Sequence, residues 1–176
     1  MAKLTKDELL QKFREIKLIA LDVDGVLTDD GIFFGPDGFE VKKFNISDGF
    51  YMVLAMRNGL ELAIISGRYS AATDTRMKDL GVKHVMQGKK DKVEMARPVL
   101  EELGLDFSDM AFVGNEILDI KLARQSGLSI AVADSAKELI AAVDYVTAKD
   151  GGKGAVREVL ELYFEAVGIN PIDLVP

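Results

Sequence analysis

Residues 21–30 read LDVDGVLTDD, four acids in ten positions, the first two flanking a single valine at the end of an apolar run. Residues 17–22 (KLIALD) predict a strand entering a buried sheet. Two ionised carboxylates in one desolvated place repel each other, so Asp22 and Asp24 call for a positive charge between them. A divalent cation meets that need, because hard carboxylate oxygens bind Mg²⁺, which takes one or two carboxylates and keeps several waters. Strand residues i and i+2 share a side, so the D-x-D spacing can aim both carboxylates into one site. One Asp can attack phosphorus, and a second can protonate the leaving oxygen and later activate water. Gly25 would let the backbone approach a phosphate closely. Taken alone, the same acids could simply cap a loop.

Outward from this stretch, apolar runs alternate with amphipathic segments. Strands are predicted at 17–22, 61–65, 83–86, 110–113, 128–132 and 144–147. Helices are predicted at 5–15, 48–58, 70–80, 91–103, 116–126, 135–141 and 153–167, followed by an irregular tail after Gly168. The β-α alternation predicts an α/β fold: one Rossmann-like domain over residues 1–176, its mostly parallel sheet covered by helices on both faces. Such sheets bind ligands at the carboxyl ends of their strands. Residues 29–46 break the alternation. Their Gly35-Pro36-Asp37-Gly38 turn chemistry predicts a β-hairpin inserted after the first strand. Ile32, Phe33, Phe34 and Phe39 make it too apolar for water, so it should pack on its own domain or on another subunit.

Composition narrows the function. At 176 residues with 48% hydrophobic content, the chain can bury a substantial core. No apolar run approaches the roughly 20 residues of a membrane span, and the charged N-terminus lacks a signal-peptide core. With no cysteine, thiolate metal sites and disulfides are excluded, which fits a reducing, cytoplasmic setting. A net charge of −7 argues against non-specific nucleic-acid binding, though not against a small anionic substrate.

Three more pieces follow strands. Ser66-Gly67-Arg68 offers a hydroxyl and amides at a helix start, where anions are favoured, and Arg68 suits bidentate anion binding. Of the three lysines in Lys89-Lys90-Asp91-Lys92, Lys92 lies inside a helix start and is held most rigidly. Gly114-Asn115-Glu116 offers an oxygen ligand at Asn115, with Asp119 one helical turn on. Taken singly, Ser66 and Asn115 read as helix caps and the lysines as a solvated turn. Together, after four parallel strands at one sheet edge, they form a Mg²⁺ phosphoryl-transfer site.

This set resembles the haloacid dehalogenase superfamily phosphatases, through DVDGVLTD, ISGR, the lysine at 92 and GNEILD, over roughly residues 17–167. The resemblance implies Asp22 as nucleophile and Asp24 as general acid/base. It also implies Gly25, Ser66, Gly67 and Lys92 around the phosphate, and Mg²⁺ held by Asp22, the Asp24 carbonyl and Asn115. DVDGVLTDDGIFF, FNISDGF, GLSIAVADS and VDYVTAKDGGKGAVREV are similar to the capless 3-deoxy-D-manno-octulosonate 8-phosphate phosphatases. That narrower resemblance implies a small anionic sugar phosphate as substrate, a homotetramer built by the hairpin, and lipopolysaccharide precursor synthesis. It also implies substrate contacts from Asp48, Gly49, Arg68, Arg76, Arg157 and the tail from about residue 149. Such phosphatases usually read GDD where this chain reads Gly114-Asn115-Glu116. Asn is a neutral oxygen ligand, so metal binding should weaken unless Glu116 or Asp119 supports it. The GNE pattern also resembles nine-carbon sugar acid phosphatases and the weakly catalytic assembly module of acylneuraminate cytidylyltransferases. A signalling receiver domain would place its acceptor Asp after the third strand, which here ends Val85-Met86-Gln87 with no acid.

Overall fold

The computed structural model describes residues 3–175. Along the chain run α1 (Lys6–Glu15), β1 (Leu18–Leu21), β2 (Phe33–Phe34), β3 (Glu40–Val41), α2 (Ile46–Arg57), β4 (Glu61–Ser66), α3 (Ala71–Leu80), β5 (His84–Gln87) and α4 (Lys92–Leu103). Then come β6 (Met110–Gly114), α5 (Ile120–Ala123), β7 (Leu128–Ala131), α6 (Lys137–Ala142), β8 (Tyr145–Val146) and α7 (Ala155–Val167). Six strands form one sheet in the order β5-β4-β1-β6-β7-β8. Every pairing in it is parallel. The expected hairpin is present as the antiparallel pair β2-β3, outside the main sheet.

β1 sits at the centre because it is apolar on both faces. Its four residues are all buried. Ile19 and Leu21 pack with Leu9, Phe13 and Phe164 on one side, while Leu18 and Ala20 pack with Val93, Val99 and Phe112 on the other. This is the period-two division of a strand covered on both faces. Helix α1 starts with a capping box, Thr5 and Glu8 satisfying each other's backbone N–H. Its Leu9 and Phe13 are buried, and Arg14 Nε donates to the Ala166 carbonyl at the end of α7.

Two stretches depart from the sequence expectation. The helix foreseen at 116–126 is a 3-10 turn, Ile117–Asp119, followed by the single-turn α5. Asp119 Oδ2 accepts the backbone N–H groups of Asn115 and Glu116, and this pulls the turn tight. The tail is not wholly irregular, because Asn170 caps a 3-10 turn over Pro171–Leu174.

Phe13 has no exposed surface, so Phe13→Ala is expected to cost about 3–5 kcal/mol through lost burial and a cavity. Urea denaturation should show a lower midpoint at unchanged slope, with the exposed Gln11→Ala near wild type.

Candidate active site

The carboxyl ends of the central strands converge. Asp22 follows β1, its N–H still donating to the Val113 carbonyl at 3.0 Å. Ser66 ends β4, Asn115 follows β6, and Lys92 opens α4, whose N-cap Asp91 accepts from two amides. Asp22, Asp24, Ser66, Gly67, Arg68, Lys92, Asn115 and Glu116 line one cleft of about 360 Å³, joined by Asp30, Lys90 and Leu118.

A buried ion triad forms its floor. Lys92 Nζ lies 2.7 Å from Asp22 Oδ2 and 2.5 Å from Asp119 Oδ1. Burial pushes the Asp22 carboxyl up to about 7, against the pull of Lys92 and with a further push from Asp119. Burial works to lower the Lys92 amine, but Asp22 and Asp119 outweigh it, and its pKa is raised. Asp119 is fully buried and does not line the cleft. It spends one oxygen on Lys92 and the other on the amides of Asn115 and Glu116.

One atom shows that the donor set suits a hard cation. Asn115 is buried, and its side-chain Oδ1 has no hydrogen-bond partner. An orphaned amide oxygen is costly unless something joins it. A hard divalent cation between it and the Asp22 carboxylate supplies that partner. Among the described residues no three His, Cys, Asp or Glu side chains gather into a metal cluster. Gly25 is required here: its φ of +77° favours glycine, and a Cβ would overlap the Asn115 amide.

Asp24 sits in a second network. Its Oδ1 accepts from Lys42 Nζ, and its Oδ2 from Arg68 Nε at 3.4 Å. Glu40 accepts from Arg68 and from Ser70 Oγ, the latter at 2.7 Å. Arg68, then Ser70 and Lys42, hold the Glu40 carboxyl down at about 2. Ser66 Oγ donates to the Arg68 carbonyl at 3.0 Å. Sequence reasoning missed Glu40, Lys42 and Asp30, and passed over Lys90 in favour of Lys92. For Glu40 and Lys42 a signal existed, since Glu40-Val41-Lys42 alternates charge, apolar, charge along a strand.

Four expected substrate contacts do not line the cleft. Asp48 is buried, and its Oδ1 accepts the Arg157 N–H at 2.8 Å, so it caps the start of α7. Gly49 lies against the Arg76 side chain. The Arg157 guanidinium stacks 4.8 Å from the Tyr51 ring centre and pairs with Glu161 at 2.7 Å. The glycine run packs on the loop after Asp22 instead: Gly152 N–H donates to the Val26 carbonyl at 2.9 Å, and a Cβ on Gly151 would strike the Gly25 carbonyl.

The chain is similar to known phosphatases. Residues 80–160 match the haloacid dehalogenase-like hydrolase family. The 3-deoxy-D-manno-octulosonate 8-phosphate phosphatase of Escherichia coli K12 is 40% identical over 161 residues, covering 92% of this chain and 86% of that protein. Among solved structures, the Moraxella catarrhalis phosphatase of the same name, in complex with magnesium, phosphate and KDO, superposes with a TM-score of 0.88. It shares 41% identity over 91% of this chain and 92% of that one. The Yersinia pestis phosphatase gives 0.89 with 37% identity over 91% and 86%.

The raised Asp22 carboxyl makes stability pH-dependent. The folded chain keeps a proton there that the unfolded chain releases, so the associated stability is full below the ordinary carboxylate range. It is lost as pH rises through about 7. Metal-free protein should therefore melt lower at about pH 8.5 than at about pH 5.5, and Asp22→Asn should flatten that slope. Adding Mg²⁺ should restore the melting temperature of the wild type more at the higher pH, because the metal competes with the proton.

Proposed function

Because the chain belongs to the haloacid dehalogenase-like hydrolases, we propose that it is a Mg²⁺-dependent phosphatase acting on 3-deoxy-D-manno-octulosonate 8-phosphate. One observation carries the reading: a buried Asp22–Lys92–Asp119 triad beside an unpartnered Asn115 oxygen, in an open cleft at the sheet's carboxyl edge. The relatives' named substrate and the cations Arg68 and Lys90 at the cleft support a small anionic sugar phosphate.

In this reading Asp22 and Asn115, with the Asp24 carbonyl, hold Mg²⁺. When bound, the ion neutralises the Asp22 carboxylate against the phosphate and withdraws charge from the phosphoryl oxygens. Asp22 Oδ attacks phosphorus in line, forming an aspartyl-phosphate as the bond to the sugar oxygen breaks. Asp24 donates its proton to that departing oxygen. Lys92 balances charge on the nucleophile and the phosphoryl group, and Asp119 keeps Lys92 ionised and aimed. Ser66 Oγ turns from the Arg68 carbonyl to a phosphoryl oxygen, and the Gly67 amide and the backbone at Gly25 complete the cradle. Asp24, now a carboxylate, takes a proton from the water that hydrolyses the aspartyl-phosphate.

The whole chain, 1–176, acts as one domain in this reading, in the cytoplasm, within lipopolysaccharide precursor synthesis. It assembles as a homotetramer through the hairpin, where Phe33, Phe34, Phe39 and Val41 stand 44–69% exposed. In such an assembly neighbouring subunits would cover each cleft, whereas Asp48 and Gly49 stay buried in their own subunit, at the start of α7 and against the Arg76 side chain. Asn115 where such phosphatases usually carry the first Asp of GDD supports a second reading, a nine-carbon sugar acid phosphatase or a weakly catalytic assembly module.

With Mg²⁺ present, phosphate release from the eight-carbon substrate is expected, and Asp22→Asn should lower kcat by about 10³-fold or more. Faster release from a nine-carbon 9-phosphate would move the substrate assignment. No release from either, with the oligomer intact, would favour the assembly module. Light scattering should report a tetramer that Phe34→Lys reduces to smaller species.

A further inference from the structure

The hairpin strand β3 is two residues long, yet it carries a buried ammonium group. Lys42 follows it directly, and its side chain is only 1% exposed. Strand alternation explains the placement. Glu40 and Lys42 share the side that faces Asp24 and Arg68, while Val41 faces out at 44% exposure. A buried ammonium group is costly unless ionised partners surround it. Lys42 has two: the Asp24 carboxylate, through Oδ1, and Glu40 at 3.5 Å. Glu40 is fixed in turn by Arg68 and Ser70, on the loop between β4 and α3. The network therefore ties three segments together, the nucleophile loop, the hairpin and the β4–α3 loop. Asp24 is the member that lines the cleft beside Asp22.

We propose that Lys42, seated by Glu40, is a positioning residue for Asp24, so that the hairpin completes the active site of its own chain. This rests on the phosphatase reading above. Lys42 takes up Asp24 Oδ1. That leaves Oδ2, met at 3.4 Å by Arg68 Nε, as the oxygen that exchanges the proton. As the phosphorus–oxygen bond breaks, its electron pair stays on the sugar oxygen, which takes the proton from Asp24 Oδ2. When Asp24 later regains a proton from water, Lys42 is not stranded. Glu40 remains ionised, its carboxyl held at about 2 by Arg68, Ser70 and Lys42. Lys42 touches neither phosphate nor metal ligand side chain in this scheme. Its effect passes through the orientation of one carboxyl group.

Such a residue has a signature that general structural damage lacks. Proton donation matters for a poor leaving group such as a sugar alkoxide and little for p-nitrophenolate, which departs without a proton. The quantity kcat/KM reports steps up to leaving-group departure, so it isolates the acid role from the later hydrolysis. With saturating Mg²⁺, Lys42→Met, which preserves volume, should lower kcat/KM on the eight-carbon sugar phosphate by about 10²-fold. On p-nitrophenyl phosphate the loss should stay within roughly threefold. Glu40→Gln keeps the hydrogen-bonding shape of the hairpin and provides a second probe should Lys42→Met fold poorly. It should show the same skew at roughly tenfold. Equal losses on both substrates, or no loss on either, would overturn the proposal while leaving the phosphatase reading standing. A wild-type chain that hydrolyses neither substrate would instead sink the phosphatase reading, and the Lys42 assignment with it.

Discussion

A single ammonium group clamped between two buried carboxylates organises the catalytic end of this sheet. Asp22 and Asp119 keep Lys92 charged at that depth, and Lys92 in turn opposes the burial that pushes the Asp22 carboxyl up. The clamp fixes more than charge. Asp119 uses its second oxygen to gather the amides of Asn115 and Glu116. So the helix start bearing Lys92, the strand end bearing Asp22 and the loop bearing Asn115 share one electrostatic knot. Breaking one member would leave an uncompensated buried charge and loosen the Asn115 loop that presents its oxygen.

The sheet around the knot was legible in the sequence because its information is local. Apolar runs of strand length alternate with amphipathic helices, and the residues that meet in the cleft directly follow four of those runs. Asp22, Ser66, Lys92 and Asn115 could be grouped before any coordinates, since a parallel sheet places the ends of all its strands along one edge. What was not legible depended on tertiary contact. Asp48 looks like a loop acid, but its partner is the backbone of Arg157, more than a hundred residues away. The stretch after Asn115 has helical periodicity, but the side chain of Asp119 turns inward and rewrites it as a 3-10 turn. Asp119 was offered beside Glu116 as possible metal support; its contacts here are Lys92 and the amides of Asn115 and Glu116.

The hairpin shows how one short strand can answer to two surroundings. Its outer side is aromatic and exposed, the kind of surface that seeks a partner. Its inner side brings Glu40 and Lys42 to Asp24. Only the apolar half announces itself in composition, which is why the charged half escaped a reading made from hydrophobicity and turn residues alone. Coupling follows from thinness: with one layer of residues between the two sides, a shift on one is a shift on the other.

The glycine loop against the segment after Asp22 has a different consequence. Gly151 and Gly152 meet Gly25 and Thr28 main chain to main chain, with no room for a Cβ on either. A seam built from backbone on both sides offers no side chain for natural variation to act on. Adaptation to a different substrate is therefore channelled elsewhere along the rim, to Asp30 and Lys90. The chemistry is walled off from the changes that would retune selectivity, so a lineage of such proteins could diversify its substrates while its phosphoryl-transfer core stayed still.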